Sequence, residues 1–175
     1  MQRHRVHLND LIEDAGVGGL MEAGAHGVSL SVTPLDRGVD VNVDPQILAG
    51  AIANLLQNAF KFTHAHGCVT LRTLTTDQRV FIDVEDECGG LPAGGAEALF
   101  RPYEQRGANR TGLGLGLAIS RRGVEASGGQ IHVRDLPGKG CVFTIELPRA
   151  DSLRSAAQDV APGAREALDP EARGT

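Results

Sequence analysis

Apolar residues first recur at helical spacing between residues 7 and 22, where Leu8, Leu11, Ile12 and Ala15 stand at i, i+3, i+4 and i+7. Gly16, Gly18 and Gly19 interrupt that pattern, so it predicts a short, imperfect helix. The period then changes to two. Val28, Leu30 and Val32 alternate with Ser29, Ser31 and Thr33, and Val39, Val41 and Val43 alternate with Asp40 and Asn42. These are two strands, and the turn-forming residues 34–38 between them predict a hairpin. Helical spacing returns over residues 44–63, DPQILAGAIANLLQNAFKFT, where Ile47, Leu48, Ala51, Ile52, Leu55, Leu56 and Ala59 form one apolar face. Asp44 and Pro45 suit the N-cap and first helical position, because proline lacks the N–H that would be orphaned there.

Two more alternating runs, 69–74 and 79–85, flank a turn at Thr76 and Asp77. A Gly-rich loop, DECGGLP, follows directly at 86–92, and 93–100 fits a short helix. Residues 101–111 are polar and read as mobile; the GLGLG run at 112–116 opens onto a helix at 117–127. Strands at 130–134 and 141–147 close the pattern around Pro137 and Gly138. The sum is about six strands and three or four helices with hairpin-length connections. That predicts a two-layer α/β sandwich whose mixed, largely antiparallel sheet carries its helices on one face. Regular βαβ crossovers, which a Rossmann arrangement needs, are missing. Residues 1–149 form the expected domain. Residues 150–175 are rich in Ala, Arg, Asp and Glu, and read as a disordered tail or linker.

Composition narrows the function classes. The chain has 175 residues, enough for one domain with a core, and a net charge of −5 that argues against a nucleic-acid surface. No apolar run approaches the roughly 20 residues of a membrane span, and the polar start MQRHRVHLND is no signal peptide. A cytoplasmic location is expected, with no direct membrane contact in this chain; a longer protein that contained it could still be membrane-anchored. Cys68, Cys88 and Cys141 are widely spaced and form no CxxC pair, which argues against a disulfide framework or a zinc site.

The chemistry gathers at three places. On the central helix Asn54, Asn58 and Lys61 fall at i, i+4 and i+7 and line one stripe. Asn is a mediocre helix former. Two amides and an ammonium fit a cation-and-anion site, or a solvated face that happens to hold two Asn; the helix alone does not decide. Asp86 ends a strand whose Val80, Ile82 and Val84 face the core, so its carboxylate either accepts from an exocyclic amine at a pocket mouth or caps its own turn. In the GLGLG run Gly112, Leu113, Gly114, Leu115 and Gly116 offer backbone N–H groups at a helix N-terminus, which suits phosphate but also serves plain tight turns. Arg101, Arg106 and Arg110 carry charge suited to phosphate, as solvated loop arginines also do.

Order and spacing add what single motifs lack. NLLQNAFKFT resembles the N box of sensor histidine kinases, DECGGLP their first glycine box, LFRPYEQ their F box, and TGLGLGLAIS their second glycine box. GKGCVFTIELP resembles the closing strand of the same domain. The resemblance covers residues 6–148 and implies the Bergerat fold, shared with gyrase and the Hsp90 chaperones. It implies ATP and Mg²⁺ as cofactors. Asn58 matches the magnesium ligand and Lys61 a phosphate contact. Asp86 matches the adenine-reading carboxylate, Gly90 fits D-x-G-x-G, and Gly112, Gly114 and Gly116 match phosphate-facing glycines. Residues 101–111 correspond to a lid over ATP. Asn54 stands where gyrase-like members carry the glutamate that activates water; an amide cannot be that base, so the resemblance implies a phosphotransferase.

Two departures matter. Cys88 replaces the first glycine of D-x-G-x-G and would crowd the pocket if that position needs positive φ; its acidic neighbours Asp86 and Glu87 mark it as structural and unreactive. None of His4, His7, His26, His64, His66 and His132 has the context of a phosphoacceptor. The implied function is therefore the ATP-binding catalytic domain of a sensor histidine kinase. Its expected partners are a phosphoacceptor His domain, in cis or in trans, and a response regulator downstream. A stand-alone serine kinase of the anti-sigma type, and a nucleotide-gated binding module without transfer, are the alternatives.

Overall fold

The computed structural model describes residues 2–33, 38–91, 96, 99–100 and 115–150. Its central element is helix α2, Pro45–Phe62, which begins as the sequence dictates: the Asp44 side chain accepts from the backbone N–H groups of Gln46 and Ile47, and Pro45 opens the first turn. Leu48, Ala51, Ile52, Leu55, Leu56, Ala59 and Phe60 are buried along one face. This face packs on a five-stranded sheet of β2 (Ser29–Val32), β4 (Cys68–Thr75), β5 (Arg79–Asp86), β7 (Gly140–Pro148) and β6 (Gln130–Leu136), in that order. Only the β2–β4 pair is parallel; the others are antiparallel.

Period-two burial sorts the sheet into a core face and a polar face. Val69, Leu71, Val80, Ile82, Val84, Cys141, Phe143, Ile145 and Leu147 are buried with the helices. The opposite face is a lattice of charges: Arg72 Nε lies 3.1 Å from Asp83, Thr144 Oγ1 donates to Asp83 at 2.6 Å, and Arg79 and His132 both meet Glu146. A helix laid over that face would strand those groups, so the helices share one side. The expected two-layer sandwich is the fold.

Two expectations change. The hairpin between the two N-terminal strands does not form. β2 pairs in parallel with β4, whereas β3 (Asp40–Val43) pairs antiparallel with a short strand β1 (His4–His7) that the sequence pattern did not reveal. Alternation marks a strand but not its partner, and HRVH offers one apolar side chain. The imperfect first helix is instead continuous, α1, Leu8–Ala25. Its glycines are packing positions: a Cβ on Gly16 would stand 3.2 Å from Val32, and one on Gly19 would stand 2.8 Å from Leu30. Ala150, the last described residue, is buried and donates its N–H to Asp40 O. Residues 151–175, and most of the expected helix at 93–100, lie outside the described residues.

Candidate functional site

Asp86 is the last residue of β5 and continues its core-facing row, with 4% of its surface exposed. Its Oδ1 accepts from the backbone N–H groups of Cys88 at 3.1 Å and Cys141 at 3.0 Å. Burial pushes the carboxyl above the ordinary aspartate range, and those donors from Cys88 and Cys141 oppose the rise. The carboxylate is thus fixed in place at the end of a core strand. Gly140 makes this possible, since a Cβ there would fall 1.7 Å from the Asp86 carbonyl oxygen.

The loop after Asp86 is stitched to the β6–β7 hairpin. Gly89 donates to Lys139 O at 3.0 Å, Gly138 donates to Gly89 O at 3.1 Å, and Leu91 donates to Asp135 Oδ1 at 2.8 Å. Gly90 carries φ of 115°, a conformation that a side chain would strain. Cys88 is not in that region: among described residues the only non-glycine at positive φ is His66. The family's first glycine can therefore be a cysteine here without backbone strain. The Cys88 side chain is half-buried, its sulfur 3.0 Å from Cys141 Sγ and 3.5 Å from Gly90 O. Burial pushes both thiols up. Cys141 faces inward beside Phe143 and Ile145, and the meeting of the two sulfurs was not legible across the intervening chain.

The amide stripe of α2 faces the start of helix α3, Gly116–Ala126. Asn54 Nδ2 donates to Ser120 Oγ at 3.0 Å and to Gly116 O at 3.4 Å. A Cβ on Gly116 would sit 3.1 Å from Asn54 Oδ1, so the two elements touch because residue 116 is glycine. Asn58 Nδ2 donates to Asn54 O at 3.0 Å, which turns the amide so that its oxygen is the atom offered to a ligand. Lys61 Nζ lies 5.3 Å from the Phe62 ring, in the last turn. Thr63 closes the helix; its Oγ1 accepts from Glu87 N–H at 3.3 Å, and Glu87 in turn accepts from Cys68 N–H at 2.8 Å. The C-terminal end of α2 and the Asp86 loop are thereby one assembly.

Seven of the sequence-predicted site residues are therefore placed: Asn54, Asn58, Lys61, Asp86, Gly90, Leu115 and Gly116. Leu115 is the residue before α3 and accepts from Ile119 N–H at 2.9 Å. Gly112, Leu113 and Gly114 lie outside the described residues, as does the polar stretch 101–111. Sequence reasoning passed over Ser120, Thr63 and Gly140. Ser120 follows Gly116 by one helical turn and Thr63 ends the N-box stretch, so spacing held a signal for both.

A carboxylate fixed at a strand end, an amide stripe on the neighbouring helix and a glycine-opened helix facing it define a nucleotide-binding α/β sandwich. Residues 43–151 match the profile of the histidine kinase-, DNA gyrase B-, and HSP90-like ATPases, and the chain belongs to that family. It is 35% identical over 151 residues to the sensor protein KdpD of Mycobacterium tuberculosis, covering 83% of this chain and 17% of that protein. The catalytic domain of histidine kinase ThkA superposes with a TM-score of 0.72 at 24% identity, over 85% of this chain and 99% of that one. Full-length ShkA in complex with AMPPNP gives 0.72 at 28% identity, over 86% of this chain and 32% of that one. These matches favour the sensor-kinase reading over the anti-sigma alternative. No described helix is long and apolar enough to cross a membrane.

Proposed function

We propose that this chain binds Mg-ATP between α2 and the 86–91 loop and presents the γ-phosphoryl to a histidine on a separate dimerisation domain. The observation that carries the reading is Asp86, a buried carboxylate fixed through one oxygen by two backbone N–H groups. Its second oxygen would accept from the adenine amino group; guanine has an oxygen there and would be repelled. Asn58 fits magnesium by chemistry: a single neutral oxygen ligand suits an ion that keeps several waters and takes its other ligands from phosphates. Bound there, the ion would neutralise charge on the transferring phosphate. Lys61 adds a positive charge at the same end of the helix, and the N–H groups of residues 112–116 would hold the phosphate oxygens.

In transfer, the imidazole nitrogen of the acceptor forms the new P–N bond as the bond to ADP breaks, and the imidazole proton leaves to solvent. This chain contributes position and charge, not a nucleophile. Asn54 cannot take a proton from water, so hydrolysis should be slow. A response regulator would accept the phosphoryl downstream. Calorimetric titration with a non-hydrolysable ATP analogue, with and without Mg²⁺, tests the binding step. Saturable, magnesium-dependent binding of the ATP analogue but not its GTP counterpart is expected. Equal binding of both would overturn the adenine assignment.

A further inference from the structure

The geometry points to a second site in this pocket, for a soft or borderline cation of the zinc class, held by Asp86, Cys88 and Cys141. One ligand atom from each of these residues lies within 4.8 Å of the other two, and the two sulfurs are 3.0 Å apart. A tetrahedral ion with metal–sulfur bonds of about 2.3 Å needs its sulfurs roughly 3.8 Å apart, so the pair has to open by less than 1 Å. Cys88 is the half-buried member and supplies that movement. The backbone that carries the ligands is already braced: Cys88 and Cys141 both donate N–H to Asp86 Oδ1, and Gly140 packs against the Asp86 carbonyl.

Ligand chemistry selects the ion. Two thiolates and a carboxylate suit zinc or a comparably soft metal, whereas Mg²⁺ demands an octahedron of oxygens. Loading is an exchange in which each S–H bond gives way to a sulfur–metal bond and its proton leaves to the buffer. With Asp86 ionised, two thiolates replacing two thiols offset the charge of a divalent ion; a protonated Asp86 gives up its proton to the buffer as well. Three protein ligands leave a fourth position for water. Nothing in the phosphotransfer reading uses either cysteine, and the family pattern places glycine at position 88. The consequence for nucleotide rests on the proposed adenine reading: an ion seated on Asp86 occupies the group that would meet the adenine amine, so metal and ATP exclude one another.

The site is tested with the reduced full chain, stripped with a chelator and titrated with Co²⁺ as the spectroscopic probe. Expected is a thiolate-to-cobalt charge-transfer band that saturates at one equivalent, is displaced by Zn²⁺ and is indifferent to excess Mg²⁺. Cys88→Ser and Cys88→Gly should each weaken Co²⁺ binding about tenfold or more, with Cys68→Ser unchanged. No saturable band, or a band untouched by both Cys88 variants, would overturn the site whatever the nucleotide does. Zinc loading should then weaken binding of the ATP analogue at least tenfold in wild type but not in Cys88→Gly. Saturable cobalt binding without that competition would refute the exclusion and the adenine role of Asp86 together, and leave the metal site standing.

Discussion

If Asp86 reads adenine as proposed, two demands fall on it, and they pull in opposite directions. An ionised carboxylate is the better acceptor for an amine, but burial favours the neutral acid and raises its pKa. A raised acid pKa means that the folded state holds the proton more tightly than the unfolded one. The stabilising contribution is therefore complete below the unfolded value and is lost as pH rises through the folded one. Wherever it is ionised, Asp86 weakens the fold. Asp86→Asn keeps an oxygen for the Cys88 and Cys141 N–H groups and removes the charge. It should be at least as stable as wild type at pH 7, with any advantage shrinking in acid, as denaturant midpoints across pH would record. Its ATP affinity should fall about tenfold or more, the loss of a charge-assisted bond of roughly 1.5–3 kcal/mol. A variant that is less stable at pH 7 yet binds ATP normally would contradict both halves. Asn58→Ala, on a half-buried position outside the core, should fold normally and lose the magnesium dependence of nucleotide binding. Magnesium-dependent binding as tight as wild type would remove Asn58 from the ligand set. These residues were legible because each sits at a fixed offset within its own element. The Cys88–Cys141 contact was not, because it depends on how β5 pairs with β7, in a register that aligns Asp86 with Cys141.

At the scale of elements, sequence revealed which segments are helix or strand better than what they lie against. β2 and β3 carry the same alternation, yet one joins β4 in parallel and the other joins β1. Inward-facing Val41 and Val43 satisfy their burial in either arrangement, so no side-chain pattern separates them. The glycines of α1 were misread for a related reason: glycine lowers helix propensity, but it also lets a helix approach a sheet. The two effects can be separated. Gly18 has nothing within 4 Å of an added Cβ, whereas Gly19 meets Leu30 at 2.8 Å and Leu56 at 3.4 Å. Gly18→Ala should stabilise the domain by about 0.5–1 kcal/mol, the ordinary propensity difference. Gly19→Ala should gain less than that, or lose, because Leu30 must move. Equal gains at the two positions, read from urea midpoints, would show that α1 does not pack as closely as its glycines imply.

For the whole molecule, the deciding question is whether the domain contains its own phosphate acceptor. In the proposed reading, the assembly of α2, the 86–91 loop and α3 gives the site two ends: Asp86 would mark the adenine end, and Gly116 at the start of α3 the phosphate end. All six histidines are described, and none is at the phosphate end. His4 and His7 lie on β1, where His7 meets the buried carboxylate of Asp40. His26 caps α1, and His132 on β6 pairs with Glu146 on the polar face of the sheet. His64 and His66 follow α2, with His64 3.7 Å from Glu87, beside the adenine end. Transfer needs an imidazole nitrogen roughly 3–3.5 Å from the γ-phosphorus and in line with the bond that breaks. A packed sheet with helices on one face does not carry any of these side chains there. The chain incubated alone with γ-labelled ATP should therefore take up no acid-labile phosphate and should release phosphate only slowly. A separate dimerisation domain bearing an acceptor histidine should become labelled when added, at a low rate because no tether raises its effective concentration. Stoichiometric acid-labile label on this chain alone would mean that a histidine reaches the phosphate end by a rearrangement of the fold, and the division of labour between two domains would have to be abandoned.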